Sequence, residues 1–260
     1  MGQLPPIGVI PAAGLGTRLA PLGYPKELLP IVYRTIPMPG VNPGISTMDD
    51  AGVMPQPIVI ASLEQMQRAG VADCVVVIAE SKLEIARVLG ERAAGVALAY
   101  VVRSVPRGLA DALDATHAWT RDRDVCLSLP DTLIAPDDAL ARVVAELRGS
   151  GADLVLGVFP TEHPEQLGPV RIADDGRVLE VLDKPAKSDV RNTWGIAAWS
   201  PRFTALLHDA VATSQTVVLG HVFDRAVKSG LAVRAIAFTD GRFIDVGTPA
   251  GLATALSVPR

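Results

Sequence analysis

A doubly wound α/β fold, with a mostly parallel sheet and an antiparallel extension in the C-terminal half, is what this sequence predicts. Three observations carry the prediction. Short β-branched runs alternate with amphipathic helical stretches as far as residue 160. Several of those runs, such as VVVI at 75–78, are apolar without alternation, as strands covered on both faces must be. After Pro160 the alternation gives way to paired short runs around an Asp-Gly turn.

The elements follow in order. Ile7–Pro11 is a buried strand that meets an Ala-Ala-Gly turn. Ile58–Ala69 carries apolar residues at helical spacing, and Gly70 stops it. Cys74–Ala79 is a strand, Lys82–Leu89 a helix, Val96–Val102 a strand and Leu109–Trp119 a helix. Val125–Leu129 is a strand ending at Pro130-Asp131. Pro136–Leu147 is a helix with proline at its first position, and Leu154–Phe159 is a strand. Val170–Ala173 and Val178–Leu182 form a hairpin about Asp174-Asp175-Gly176. Gly195–Ser200 is a strand, Pro201–Ala212 and Val217–Lys228 are helices, and Val233–Phe238 and Phe243–Val246 are late strands. Residues 33–57 read as the one long irregular stretch, of a length that is usually functional. No linker separates independent domains. The expectation is one domain over 1–260, in two halves at 1–160 and 161–260.

Composition narrows the function classes. The 260 residues are 49% hydrophobic, enough for one substantial core. A formal net charge of −4, with no basic run, argues against nucleic-acid and membrane-surface partners. The N-terminus has no basic stretch before its apolar one, so it does not read as a signal peptide. Cys74 and Cys126 lie inside apolar runs and match no metal spacing; they read as buried thiols in a cytoplasmic protein. His117, His163, His208 and His221 have neither metal nor triad spacing.

The chemistry-bearing segment is Ala12-Ala13-Gly14-Leu15-Gly16-Thr17-Arg18-Leu19. Its glycines follow a strand, where exposed backbone N–H groups can hold phosphate oxygens. Arg18 adds a planar, bidentate donor. A dinucleotide fingerprint would need glycine where Leu19 stands. Pro25-Lys26-Glu27-Leu28-Leu29-Pro30 follows, with Lys26 set in a segment stiffened by prolines.

Together, GLGTRLAPLGYPKELLPI resembles the signature of the sugar-1-phosphate nucleotidylyltransferases, in particular the glucose-1-phosphate thymidylyl- and uridylyltransferases. Downstream segments continue the likeness in order: PRGLADA at 106–112, LSLPD at 127–131, GPV at 168–170, VLDKP at 181–185 and FIDVGT at 243–248. The resemblance implies a Rossmann-like, glycosyltransferase-A-like sheet and the joining of a nucleoside triphosphate to a sugar 1-phosphate with release of pyrophosphate. It implies Arg18 and Lys26 as catalytic cations, and Ala13, Gly14, Gly16, Thr17, Arg103, Gly108 and Leu109 at the nucleotide. It places Gly168, Asp183, Lys184 and Trp194 at the sugar phosphate, and Asp131 and Asp245 as ligands of Mg²⁺. No histidine is required, because a phosphate monoester is already largely ionised near pH 7. Relatives of this kind often assemble, which leaves a homo-oligomer open.

Three positions depart from the family's pattern. Arg103 stands where the relatives place a pyrimidine-reading glutamine. Arginine only donates, so thymine and uracil suit it less well than the acceptor edges of guanine or cytosine, although dTTP and UTP stay among the candidates. Pro130 replaces a glycine and Asp183 a glutamate, so the acceptor could also be a cyclitol or other alcohol phosphate. A non-catalytic, nucleotide-sugar-binding regulatory homologue is the remaining alternative.

Overall fold

The computed structural model describes residues 4–37, 51–214 and 216–257. An eight-stranded sheet organises them, in the order β13-β9-β12-β7-β1-β4-β6-β5. Its centre is β1 (Ile7–Ala12), with β4 (Asp73–Ala79) and β7 (Val125–Ser128) parallel on either side. Beyond β4 lie β6 (Val96–Arg103), parallel, and the two-residue antiparallel edge β5 (Arg92–Ala93). On the other side β12 (Asn192–Trp199) runs antiparallel between β7 and β9 (Leu154–Pro160). The outer strand β13 (Val233–Ala237) is again parallel to β9. The antiparallel character expected after Pro160 is therefore concentrated in β12 and in small separate ladders.

Apolar residues in every position of a central strand allow both faces to be covered. In β1, Val9 packs into one core and Ile10 into the other; Val75 and Val77 of β4 oppose Val76 and Ile78 in the same way. Helices α3 (Leu109–Asp114), α6 (Pro201–Ala212) and α7 (Leu219–Lys228) close the first face. Helices α1 (Val59–Arg68), α2 (Glu84–Leu89) and α5 (Ala139–Ser150) close the second. At α6, Ser200 accepts a hydrogen bond from the Arg202 amide and Pro201 opens the first turn. Cys74 and Cys126 are buried on β4 and β7 with free thiols, as expected.

Four local readings change. The stretch 33–57 is not wholly irregular: β2 (Val32–Pro37) and β3 (Ala51–Gln56) form an antiparallel ladder, concealed in the sequence by Pro37 and Pro55. Residues 38–50 of that stretch lie outside the described residues. The helix expected at Leu109–Trp119 breaks into α3 and α4 (His117–Thr120), where the Thr116 hydroxyl donates back to the Leu113 carbonyl. The hairpin at 170–182 forms as β10 (Val170–Ile172) and β11 (Val178–Val181), but as a ladder of its own. The late strand β14 (Arg242–Asp245) pairs antiparallel with β8 (Thr132–Ala135), a strand too short to show in the sequence, and α8 (Pro249–Ser257) follows. Among the described residues no helix is long and apolar enough to cross a membrane.

Candidate active site

The site starts at the carboxyl ends of β1 and β7, neighbouring parallel strands at the centre of the sheet, where open α/β sheets gather ligands. Leaving β7, the chain turns through Leu129-Pro130 and presents Asp131, which is buried, immediately before β8. The register of β8 with β14 sets Thr132 opposite Asp245, and the Val246 amide donates to the Asp131 carbonyl at 2.9 Å. Two carboxylates more than a hundred residues apart in the chain thus stand side by side. Gly247 makes room for them. A Cβ there would lie 2.5 Å from Asp131 Oδ2, 2.8 Å from Asp245 Oδ1 and 3.0 Å from Lys26 Nζ. The Gly247 amide also donates to Asp245 Oδ1 at 2.8 Å.

Each carboxylate holds one cation from the N-terminal segment. Arg18, on the short 3-10 turn Thr17–Leu19, donates from Nη1 to Asp245 Oδ2 at 2.8 Å. Lys26, on the turn Lys26–Leu28, donates from Nζ to Asp131 Oδ2. Gly16 bends the chain at φ 68°, and the Lys26 stem packs on it. The next residue, Glu27, points the other way into the protein. It accepts 2.7 and 2.9 Å hydrogen bonds from Lys82 Nζ, which also donates to the Ala12 carbonyl at the end of β1. Burial raises the Glu27 carboxyl above its usual range, against the opposing pull of the Lys82 ammonium. This closed pair fastens the Lys26 turn to the end of β1.

A cavity of about 550 Å³ opens beside the two carboxylates. Arg18, Asp131 and Asp245 line one side; Gly168, Asp183, Lys184 and Trp194 line another; Gly108 and Leu109 complete it. Lys184 is held at φ 43°, in the left-handed region and directly before Pro185, with its amide bonded to the Leu167 carbonyl at 2.8 Å. Such a conformation is costly for a lysine, and strained residues cluster at functional sites. Gly168 leaves space for the Trp194 indole, which a Cβ there would strike. Trp194 in turn meets Phe223 edge-on, with ring centroids 5.2 Å apart, so its ring is both cavity wall and core.

A smaller cavity of about 140 Å³ adjoins it at Gly108 and Leu109 and is lined also by Ala13, Gly14, Arg103 and Asp111. Arg103 Nη2 donates to both Asp111 carboxylate oxygens at 3.0 and 2.9 Å, while its Nε is buried without a partner. The sequence places Arg103, with the backbone at Gly108 and Leu109, at the base and gives Asp111 no role of its own. It also passes over Arg107, Gln166, Thr193 and the segment Thr216–Gly220, all of which line the larger cavity. Arg107 lies inside a segment already singled out. Gln166 ends the short turn Pro164–Gln166, Thr193 lies on β12 and Thr216–Gly220 leads into α7, so only the folded chain brings them to the cavity. No histidine lines either cavity; His117 and His208 stack at 4.0 Å, and His208 Nδ1 lies 2.7 Å from Asp114 Oδ1.

Paired carboxylates, two cations bonded to them and two adjoining cavities thus gather at the strand ends of an open α/β sheet. The chain matches the nucleotidyl transferase family over residues 51–258 and belongs to that family. The matched residues include Asp131, Lys184 and Asp245 and begin after the glycine loop. The chain is similar to a glucose-1-phosphate thymidylyltransferase of Streptomyces griseus, 26% identical over 206 residues, 77% of this chain and 50% of that one. It is also similar to one of Streptomyces antibioticus, 25% identical over 252 residues, 93% of this chain and 62% of that one. It thus spans between half and 62% of the length of these curated relatives. A UTP-bound UGPase from Acinetobacter baumannii shares the fold, with a TM-score of 0.75 at 19% identity, covering 97% of this chain and 92% of that one.

Proposed function

We propose that the protein joins a nucleoside triphosphate to a sugar 1-phosphate. A phosphate oxygen of the sugar phosphate forms a bond to the α-phosphorus, the bond from that phosphorus to the bridging oxygen breaks, and pyrophosphate leaves with the electron pair. The observation that carries this reading is that the β8–β14 ladder holds Asp131 beside Asp245, with Lys26 and Arg18 paired to them and a cavity shared with Lys184 opening alongside.

Two hard carboxylates side by side fit Mg²⁺, which takes one or two carboxylates together with phosphate oxygens and water. Asp131 and Asp245 would hold it, and when bound it neutralises charge on the triphosphate. Arg18 and Lys26 donate to the phosphates and to the departing pyrophosphate. Lys184 holds the attacking phosphate, with Asp183 accepting from sugar hydroxyls and Trp194 walling the ring. Bringing two polyanions together in line is the main demand of such a transfer, so positioning and charge stabilisation suffice without a general base. The nucleotide is assigned to residues 1–160 and the sugar phosphate to residues 161–260.

The base is assigned to the smaller cavity. Arg103 lines it, its guanidinium braced by Asp111 and its Nε–H buried without a partner. That donor favours an acceptor edge, so GTP or CTP is placed ahead of dTTP and UTP. The test is pyrophosphate release with Mg²⁺, crossing the common triphosphates against sugar 1-phosphates and a cyclitol phosphate. Release that requires both substrates is expected, with the preferred triphosphate deciding the base. A protein that binds triphosphate and releases no pyrophosphate with any acceptor would overturn the assignment.

A further inference from the structure

Among the described residues that line the smaller cavity, only Arg103 and Asp111 carry polar side chains; glycine, alanine, proline and leucine make up the rest. Side-chain hydrogen bonding to a base held there therefore falls to these two. Arg103 is the last residue of β6, paired across the ladder with Ala79 at the end of β4. Asp111 stands in the first turn of α3, between Ala110 and Ala112, which are buried.

The two are joined, yet not used up by their own bonds. Arg103 Nη2 donates to Asp111 Oδ1 at 3.0 Å and to Oδ2 at 2.9 Å. An ionised carboxylate has about four lone-pair sites, so each oxygen can accept again. The guanidinium likewise has N–H donors beyond Nη2. The side chains are 31% and 15% exposed, so neither is sealed off. Spare acceptors and spare donors thus stand side by side in an otherwise apolar cavity.

A base edge that matches them carries a donor next to acceptors, with an exocyclic amino group as the donor. Guanine has the O6 acceptor beside its N1–H and N2–H₂ donors. Cytosine has the N4–H₂ donor beside the N3 and O2 acceptors. Adenine has its amino group beside a single acceptor on that edge. Uracil and thymine lack the amino group. Their N3–H is flanked by two carbonyls, which are turned toward the carboxylate whenever N3–H meets it.

We propose that Asp111 is a specificity-determining residue: with Arg103 it reads an exocyclic amino group on the base, which selects GTP or CTP and excludes dTTP and UTP. In GTP, N1–H and N2–H₂ donate to Asp111 while O6 accepts from Arg103. In CTP, N4–H₂ donates to Asp111 while N3 and O2 accept from Arg103. The proposal rests on the assignment of this cavity to the base in the reading above, and gives Asp111 a part beyond bracing Arg103.

The test is calorimetric titration of triphosphates in the presence of Mg²⁺, in matched pairs. GTP and ITP differ only in the 2-amino group; CTP and UTP differ at the 4-amino group and the ring nitrogen beside it. One pair should show a preference of about tenfold or more for the member with the amino group, and which pair does so tells guanine from cytosine. In Asp111→Asn and Asp111→Ser that ratio should fall toward one, and either variant suffices once its circular dichroism matches the wild type. Equal affinities within both pairs in the wild type, or tighter binding of UTP or dTTP, would overturn the readout. So would variants that bind both members of the pair more weakly at an unchanged ratio, since Asp111 would then serve only to brace Arg103. Failure of the transfer reading shows separately, as selective triphosphate binding without pyrophosphate release with any acceptor.

Discussion

Lys26 and Glu27 are neighbours with opposite surroundings. Glu27 and Lys82 form a closed pair, with side chains 1% and 8% exposed, fully bonded within the protein. Lys26–Asp131 and Arg18–Asp245 sit at the cavity, and Arg18 is 58% exposed. Lys82 spends its three donors inside the protein and Glu27 is shut off from solvent, so the part of the closed pair is to fix the turn. The open pairs are cations and carboxylates that can exchange partners with a phosphate and a metal ion. One dipeptide thus joins the scaffold to the chemistry, and substitutions on the two sides should fail differently.

The sharpest break comes at the open carboxylates. Asp131→Asn and Asp245→Asn should each lower kcat for pyrophosphate release by about 10²–10³, the scale for removing one preorganised charge contact. Urea midpoints should fall less than for loss of the Glu27–Lys82 pair, because the cations left unpaired are more open to water than Lys82 and Glu27. A midpoint collapse alongside lost activity would show that these carboxylates serve the scaffold instead. Next is Lys82→Met, which leaves Glu27 buried without its counter-charge. It should destabilise folding by about 3–5 kcal/mol, read from urea unfolding at pH 7.5. The sign of its pH dependence follows from burial, which raises the Glu27 pKa above 4.5 in the folded state. A raised acid contributes stability that is present below the unfolded value and lost as pH rises. The variant should therefore recover toward wild type as pH falls toward 4.5.

Arg18→Ala should have a smaller effect than Lys26→Ala, because the Arg18 contact is more exposed to solvent screening. Comparing kcat/KM for the two variants checks the order. The smallest signal concerns the thiols. Burial raises Cys74 and pushes Cys126 up to about 12, so neither should react with a disulfide reagent at pH 8 until the protein unfolds. Rapid labelling of the native protein would contradict the packing of β4 and β7.

Much of this was legible in the sequence because it is local. The glycine loop, the Pro-framed Lys26 and the aspartates after short apolar runs each announce themselves within a few residues. The doubly wound sheet follows from uninterrupted runs such as Val75–Ile78. What was hidden depends on contacts across the chain. Nothing near Glu27 points to Lys82, which lies 55 residues away, and a lysine in sequence reads as a surface charge. The β8–β14 ladder joins two four-residue strands whose pairing is visible only once folded, yet it sets Asp131 beside Asp245. The bracing of Arg103 by Asp111, eight residues on, likewise needs the fold that carries the chain from β6 into α3.

The most direct test follows the products by phosphorus NMR as Mg²⁺, the preferred triphosphate and a sugar 1-phosphate are supplied singly and together. The account predicts a sugar-linked nucleoside diphosphate and pyrophosphate in equal amounts, only when all three are present and not with Asp131→Asn. Orthophosphate released from the triphosphate without any sugar phosphate would mark a hydrolase and contradict it.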